Sequence, residues 1–203
     1  VASIEARQAV DPVLRDAAQA RMRHLLDWSH ERLSRKPGRL YVMSGVSGSG
    51  KSHLAARLAV VLPAIRLRSD VAQRAMSPDR PGTAAGYASG RYAPAQTRAV
   101  YARLNELVEP IVEQGESVIL DATFLDRDAR RATVGLARGR GWPVVILHCH
   151  APAAVLERRV RQRLVEGSDP SEADVEVLHR QLQRYQPPDP DEPVLEIDTT
   201  HEL

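Results

Sequence analysis

Gly45-Val46-Ser47-Gly48-Ser49-Gly50-Lys51-Ser52 fits the pattern G-x-x-x-x-G-K-[ST] of a phosphate-binding loop. Residues 39–44 before it are predicted to form a short buried strand, and residues 53–62 after it a helix. In that context the glycines let the backbone wrap closely around phosphate oxygens, and successive N–H groups point at them at the start of the helix. The alternative, a glycine- and serine-rich turn without a ligand, is disfavoured by the strand–loop–helix context. The sequence therefore predicts that residues 45–52, with His53, bind the phosphates of ATP.

Lysine is rare in this chain, because only Lys36 and Lys51 among the 28 lysine and arginine residues are lysines. A lysine at the one position that needs a compact ammonium is informative, since the wide planar fork of arginine does not replace it. We expect Lys51 to reach the β- and γ-phosphates and to act in catalysis. The hydroxyl of Ser52 is expected to coordinate Mg²⁺.

The composition is that of a globular α/β protein of 203 residues, with 43% apolar and 27% charged residues. A net charge of +2 does not predict a large nucleic-acid-coating surface. Cys149 is the only cysteine, which excludes an internal disulfide and favours a reducing compartment. With no long apolar stretch and no signal peptide, we expect a cytoplasmic protein without a membrane partner. The chain begins with Val1 rather than methionine, from which we expect a trimmed or excised piece.

Strands and helices are predicted to alternate along most of the chain. The strands are predicted at residues 39–44, 64–67, 117–121, 144–149 and 194–198, and the main helices at 12–35, 53–62, 95–114, 126–139, 152–166 and 174–184. Pro110 predicts a kink or a break in its helix, and residues 77–94 are predicted to be a mobile loop. The alternation indicates a parallel sheet with helices on both faces. We expect residues 1–36 to be a helical extension or linker and residues 37–203 to be the nucleotide-binding domain.

Two carboxylates lie at or just after the ends of predicted strands, where parallel sheets bind their ligands. Asp70 is positioned to accept a proton from an attacking hydroxyl, although an aspartate here would also suit the start of a helix. Asp121 ends an apolar strand and is predicted to hold Mg²⁺ or to bind the substrate, the alternative being a turn carboxylate. Thr123 is close enough in sequence to join it.

Arg159 and Arg163 lie four residues apart on one face of a predicted helix. Facing a triphosphate, they would stabilise the charge that develops on the transferred group, and a basic solvated face is the alternative. The segment 166–169 would let that helix move as a lid. His148 and His150 flank Cys149 without a further ligand cluster, so we predict no metal site there.

The order of these motifs resembles the small P-loop kinases of the AAA_33 type, whose relatives include polynucleotide 5′-kinases, gluconate kinases and zeta-toxin kinases. The matching segments are residues 44–52, 67–71, 118–125 and 171–174. The chain looks most similar to the ATP-binding half of bacterial proteins that join an aminoglycoside-phosphotransferase-like domain to such a kinase. The resemblance implies a three-layer P-loop NTPase fold with a five-stranded parallel sheet in the order 2-3-1-4-5 and an arginine-rich lid.

The resemblance also implies residue roles. Asp70 would be the general base, Asp121 and Thr123 would lie near the acceptor, and Arg159 and Arg163 would be lid arginines. Arg68, Arg74 and Arg130 are predicted as further substrate contacts. One departure is Gln73, which stands where polynucleotide kinases and many relatives carry an arginine.

These predictions favour a kinase that uses ATP and Mg²⁺ to phosphorylate a hydroxyl of a small metabolite, antibiotic or sugar. A polynucleotide 5′-hydroxyl kinase remains open, because a nucleic-acid end needs little basic surface. Two further alternatives also remain open. One is an ATP-binding module that regulates a fused upstream domain, and the other, weaker one is a toxin-like kinase of sugar nucleotides. The sequence does not choose the acceptor.

Overall fold

The computed structural model describes residues 12–33, 36–76, 94–166 and 174–201. The chain divides into two compact units, Val1–Lys36 and Pro37–Leu203. Helix α1, Pro12–Leu33, makes up almost all of the described part of the first unit. Most of the predicted loop at 77–94 and the predicted lid hinge after residue 166 lie outside the described residues.

The second unit is built on one parallel sheet. Its strands are β1 (Leu40–Ser44), β2 (Ala64–Arg68), β3 (Ser117–Asp121), β4 (Val144–His150) and β5 (Val194–Asp198). Their order across the sheet is β2-β3-β1-β4-β5, so the predicted P-loop NTPase topology is confirmed. The central strands β1 and β3 are almost continuously apolar, because both of their faces are covered.

Helices connect these strands. They are α2 (Lys51–Val61), α3 (Ser69–Met76), α4 (Pro94–Val112), α5 (Arg127–Gly139), α6 (Ala153–Glu166) and α7 (Val175–Arg184). Asp174 caps α7 by accepting a hydrogen bond from the Val177 N–H at 2.8 Å. The helix α4 continues through Pro110 to Val112, so the chain does not break at the proline.

The core lies on both faces of the sheet. Val42 and Leu120 pack on one face with Leu104 and Val108 of α4. The adjacent residues Met43 and Ile119 pack on the opposite face with residues of α2. Because successive side chains of a strand alternate between faces, the apolar runs supply both cores and produce three layers.

The parallel strands bring their carboxyl ends to one edge of the sheet. In the pairing of β2 with β3, Arg68 lies beside Asp121, and in the pairing of β1 with β4, Ser44 lies beside His148. The residues that follow these strand ends therefore meet at one edge.

Across the described helices, none combines the length and the apolar character needed to cross a membrane.

Candidate active site

The loop after β1 is built around glycines that no other residue replaces without strain. Gly45 has a φ of 141°, and a Cβ atom there would lie 2.4 Å from the carbonyl oxygen of Cys149. Gly48 has a φ of 81°, and its Cβ would lie 2.7 Å from the carbonyl oxygen of Leu156. Both positions combine the left-handed backbone region with a close approach of another backbone segment. The loop is thus held closely against β4 and α6.

Contacts from distant parts of the chain fix the shape of this loop. The N–H of Ser47 donates to the side-chain oxygen of Gln181 on α7 at 2.7 Å. The carbonyl of Ser49 accepts from the hydroxyl of Thr199, which follows β5, at 3.0 Å. Val46 is buried in a cluster with Leu156 and Leu178, among others. The loop is therefore held in place by side-chain contacts as well as by its glycines.

Lys51 and Ser52 begin helix α2 directly after the loop. The ammonium of Lys51 lies 3.4 Å from the carbonyl oxygen of Val46, and both side chains are partly exposed. The hydroxyl of Ser52 donates to Oδ1 of Asp121 at 2.9 Å. The predicted pair of Ser52 and Asp121, separated by 69 residues in sequence, is thus brought together by the adjacency of β1 and β3.

Arg66 holds the other oxygen of Asp121. Its Nε donates to Oδ2 of Asp121 at 3.0 Å and its Nη2 to the same oxygen at 2.5 Å. The Asp121 side chain is only 3% exposed, so this partner offsets the cost of burying its charge. Arg66 was not among the predicted site residues, although its position two residues before Arg68 on one face of β2 was a usable signal.

The oxygen atoms of Ser52 and Asp121 are suitable ligands for a magnesium ion. Mg²⁺ prefers hard oxygen ligands and is held in such sites by one or two protein groups together with phosphate oxygens. A serine hydroxyl and a carboxylate oxygen 2.9 Å apart meet that requirement. Within the described ranges no group of three or more histidine, cysteine, aspartate or glutamate side chains is placed to hold a metal.

Asp70 lies in the first turn of α3, directly after β2. Both of its carboxylate oxygens accept from Arg68, Oδ1 from Nε at 3.0 Å and Oδ2 from Nη2 at 2.8 Å. Both side chains remain partly exposed, at 27% and 29%. Arg74 is exposed one turn later on the same helix. The candidate base is therefore accessible and is paired with an arginine that was itself predicted to contact substrate.

The segment after β3 is held in an unusual backbone conformation. Phe124 has a φ of 42°, in the left-handed region that residues other than glycine rarely adopt. Its N–H donates to the hydroxyl of Tyr101 at 3.1 Å, and the two rings stack with centroids 4.5 Å apart. The same hydroxyl lies 3.1 Å from Oγ1 of Thr123. Tyr101 thus fixes the position of Thr123 at the edge of the site.

Arg130, predicted as a substrate contact, is fully buried. Its guanidinium pairs with both oxygens of Glu192 at 2.9 and 3.1 Å. It also donates to the carbonyls of Phe124, Leu125 and Pro187. A fully buried guanidinium with these partners has no surface for a substrate, so this prediction needs correction. Arg130 supports the strained segment that carries Thr123.

Arg159 of α6 contacts the phosphate-binding loop. It donates to the carbonyl of Gly48 at 3.4 Å, to the hydroxyl of Thr199 at 3.2 Å and to the carbonyl of Thr199 at 2.5 Å. Arg163 follows one turn later on α6 and is partly exposed. Of the two predicted lid arginines, Arg159 is therefore anchored beside the loop. Thr199, missed in the sequence, follows a strand end and could have been found by the rule that identified Asp121.

His148, at the end of β4, forms hydrogen bonds with other side chains of the protein. His148 lies 2.6 Å from a Glu196 carboxylate oxygen through Nδ1 and 2.6 Å from the Tyr185 hydroxyl through Nε2. Burial raises the pKa of Tyr185 to about 12 and that of the Cys149 thiol to about 11. Both groups therefore stay protonated near neutral pH.

Comparison with known proteins places this geometry in a family. The profile named AAA_33, described as an AAA domain, matches residues 40–188. The uncharacterized protein Rv2004c of Mycobacterium tuberculosis is 30% identical over 159 residues, which are 76% of this chain and 31% of that protein. The chain thus spans about a third of the length of the curated relatives it matches.

Two solved structures illustrate the shared fold. A gluconokinase from Sinorhizobium meliloti has a TM-score of 0.59 and 22% identity, over 82% of this chain and 85% of that chain. The APS kinase CysC of Mycobacterium tuberculosis, solved with AMPPNP and APS, has a TM-score of 0.59 and 19% identity, over 82% and 91% of the two chains. The profile match across most of the sheet, with the P-loop and strand order described above, shows that the chain belongs to the AAA_33 family of AAA domains.

Proposed function

We propose that this protein is an ATP-dependent kinase that transfers the γ-phosphoryl group to a hydroxyl of a small molecule. The observation that carries the proposal is the arrangement at the strand ends. The Ser52–Asp121 pair lies beside the phosphate-binding loop, and Asp70 follows the neighbouring strand β2, whose Arg68 is in register with Asp121. A phosphate site and a partly exposed carboxylate at one edge are what transfer to a hydroxyl requires.

Each group has a role in the transfer. Asp70 accepts the proton of the acceptor hydroxyl as its oxygen bonds to the γ-phosphorus. The bond between that phosphorus and the β,γ-bridging oxygen breaks, and ADP leaves with the electron pair. Lys51 and the backbone N–H groups of the loop bind the phosphates. Arg159, held beside Gly48, adds positive charge where the transferred group becomes more negative.

Ser52 and Asp121 are the residues that would hold Mg²⁺, whose charge would neutralise the phosphate oxygens when bound. The buried carboxylate of Asp121 keeps one oxygen toward Ser52 because Arg66 holds the other. Thr123, oriented by Tyr101, would contact the acceptor, and Arg68 and Arg74 would complete its site.

The structural neighbours support this choice of reaction. The S. meliloti protein is a gluconokinase, and the M. tuberculosis protein is an APS kinase that binds the ATP analogue AMPPNP. Both are similar to this chain at 22% identity or below, so the acceptor of neither is carried over.

The proposal is tested by transfer from γ-labelled ATP with Mg²⁺ to pooled acceptors: sugars, nucleosides, aminoglycosides and 5′-hydroxyl oligonucleotides. We expect labelled product, reduced about 10²- to 10⁴-fold by Asp70→Asn because the base is lost. Affinity for a fluorescent ATP analogue should stay nearly unchanged. Asp191→Asn, which alters a carboxylate that is 72% exposed and outside the site, is the matched control. Equal transfer by Asp70→Asn and the parent protein would contradict the role of Asp70.

A second candidate is a nucleotide-binding module that regulates a fused domain, which is favoured by the match of this chain to only 31% of the length of its relative. Tight ATP binding without label on any pool would favour that candidate over the kinase.

A further inference from the structure

One peptide group of the phosphate-binding loop, that between Val46 and Ser47, is held from both sides. Its N–H, which belongs to Ser47, donates to the side-chain oxygen of Gln181 at 2.7 Å. Its carbonyl oxygen, which belongs to Val46, accepts from the N–H of Ser49 at 3.2 Å and lies 3.4 Å from the ammonium of Lys51. The N–H and the C=O of a trans peptide point in opposite directions, so Gln181 and Lys51 contact opposite sides of this group.

The direction of this peptide group depends on a side chain. Gln181 is 3% exposed and Ser47 is 4% exposed, so the contact lies away from solvent. A backbone N–H can only donate, and the loss of its acceptor would leave it buried without a partner, which is unfavourable. By contrast, the N–H of Gly45 donates to the backbone carbonyl of Thr123 at 3.0 Å, which no substitution of a side chain removes directly.

Helix α7, which carries Gln181, is itself attached to the loop. Leu178, three residues earlier on α7, packs with Val46 in one buried cluster. The amide of Gln181 is therefore presented to Ser47 from a fixed support, and the contact does not depend on the side chain of Gln181 finding the loop by chance.

Rotation of the peptide group would affect Lys51. A planar peptide rotates as a unit, so a turn that gives the Ser47 N–H a new partner also moves the Val46 carbonyl away from Lys51 and Ser49. An ammonium has three N–H donors, so Lys51 can keep its contact with the Val46 carbonyl while it donates to phosphate oxygens. By preventing this rotation, Gln181 influences where the Lys51 ammonium lies.

We propose that Gln181 is a positioning residue for the transfer reaction, because it fixes the Val46–Ser47 peptide group and through it the place of the Lys51 ammonium. Gln181 acts through the loop and needs no contact with ATP or with the acceptor. The importance of Lys51 for transfer rests on the proposed kinase function, whereas the effect of Gln181 on the position of Lys51 does not.

NMR spectroscopy can observe Lys51 directly. Lys36 and Lys51 are the two lysines of the chain, so ¹³C-lysine labelling gives two sets of side-chain signals, which Lys36→Arg assigns. Gln181→Met removes the oxygen acceptor at similar side-chain length, and we expect the ε-CH₂ signals of Lys51 to shift toward those of the exposed Lys36. Gln181→Glu keeps an oxygen for the Ser47 N–H and should retain signals close to the parent positions. Gln183→Met, at an exposed position of the same helix, is the control and should change nothing.

Transfer kinetics test the consequence for the reaction. In Gln181→Met we expect kcat to fall about 10- to 100-fold, because a misplacement of about 1 Å can cost that much in rate. The affinity for ATP should fall less than kcat, since the transition state depends more strictly on the position of charge than ground-state binding does. Gln181→Glu should recover most of kcat at saturating ATP, while its added negative charge raises the KM for ATP. A purely structural role of Gln181 would lower Tm and leave kcat of the folded enzyme unchanged.

The outcomes separate this inference from the kinase proposal. Lys51 signals and a kcat at the parent values in folded Gln181→Met overturn the inference, whatever the change in Tm. Shifted Lys51 signals with the parent kcat overturn the role in transfer. If Gln181→Met does not fold, Gln181→Asn takes its place with the same expectations, because its amide is one methylene short of Ser47. If the parent protein phosphorylates no acceptor, the kinase proposal fails. The NMR comparison then still decides whether Gln181 positions Lys51, because it needs neither ATP nor acceptor.

Discussion

Asp121 divides its two oxygens between different partners. Oδ1 accepts from Ser52, which leaves that oxygen beside the hydroxyl that would hold Mg²⁺, and Oδ2 accepts twice from Arg66. A carboxylate with a single partner could rotate about its terminal bond. Arg66 fixes the orientation of the Asp121 carboxylate. Residues that hydrogen-bond to metal ligands generally have this effect.

We predict that Arg66→Ala raises the Mg²⁺ concentration needed for half-maximal ATP turnover about 10-fold, since loss of such an orienting partner costs 10- to 100-fold in metal affinity or activity. A Mg²⁺ titration at saturating ATP measures it. Arg66→Lys keeps the positive charge but not the two-pronged guanidinium. The Mg²⁺ concentration that this variant needs should lie between those of the parent protein and the alanine variant. An unchanged Mg²⁺ dependence in Arg66→Ala would show that Arg66 only compensates buried charge.

At the residue scale, the positions of the candidate site residues were predictable from the sequence, but their side-chain partners were not. The strand-end rule found Asp70 and Asp121, because position along the chain is enough to apply it. It did not find that each is paired with an arginine. The Arg66–Asp121 pair depends on side-chain directions across β2 and β3, and the Arg68–Asp70 pair depends on how the chain turns from β2 into α3. Arg130 was predicted to contact the substrate, whereas it is buried in a pair with Glu192, 62 residues away.

At the scale of elements, the phosphate-binding loop depends on the backbone conformation of its glycines as well as on side-chain contacts. Gly48 is held where a Cβ would lie 2.7 Å from a carbonyl of α6, with a left-handed φ of 81°. A nearby backbone does not yield as a flexible side chain would. The loop and α6 would have to separate to accept a larger residue.

Gly48→Ala is therefore expected to weaken ATP binding by about 10-fold or more, as strain of about 1–3 kcal/mol is placed in the loop. The matched control is Gly135→Ala in helix α5, where no atom lies within 4 Å of the added Cβ. That variant should bind ATP normally and be more stable by about 0.5–1 kcal/mol, because alanine favours a helix. Calorimetric ATP titration and thermal unfolding of both variants check this. Normal ATP binding by Gly48→Ala would refute the importance of this close approach.

The strands and helices themselves were predicted to within a few residues. Apolar runs such as Val118-Ile119-Leu120 lie between turn residues. A short run of this kind is typical of a strand that is buried on both faces, so it predicts the strand well. The helix α4 does not break at Pro110, which lies close to the helix end, where Val112 is the last residue. Contacts such as that of Gln181 with Ser47, 134 residues apart, carry no local signal.

At the scale of the whole molecule, the Arg130–Glu192 pair connects α5 with the segment before β5. The two side chains are 0% and 3% exposed. Burial raises the pKa of Glu192, but hydrogen bonds from Arg130 and from the Asp189 N–H, with the charges of Arg130 and Arg131, outweigh it and hold the pKa below its usual value. The folded state therefore favours the charged glutamate.

We predict that Glu192→Gln lowers the free energy of unfolding at pH 7 by about 3 kcal/mol or more, because it leaves the Arg130 charge buried without its partner. A lowered pKa means that the contribution of Glu192 is complete above its ordinary value of 4.5 and is lost as the pH falls below it. The difference between the two proteins should thus shrink in urea unfolding below that pH. Glu106→Gln, in an exposed pair, should cost about 1 kcal/mol or less. Equal stability of Glu192→Gln and the parent protein at pH 7 would contradict this account.

The central claim, phosphoryl transfer to a hydroxyl with Asp70 as base, is tested most directly by measuring ADP formation and acceptor phosphorylation together in one reaction. We expect one phosphorylated acceptor for each ADP, and both rates should fall together in Asp70→Asn while ATP still binds. ADP formed in excess of phosphorylated acceptor at every acceptor concentration, or transfer by Asp70→Asn at the parent rate, would contradict the claim.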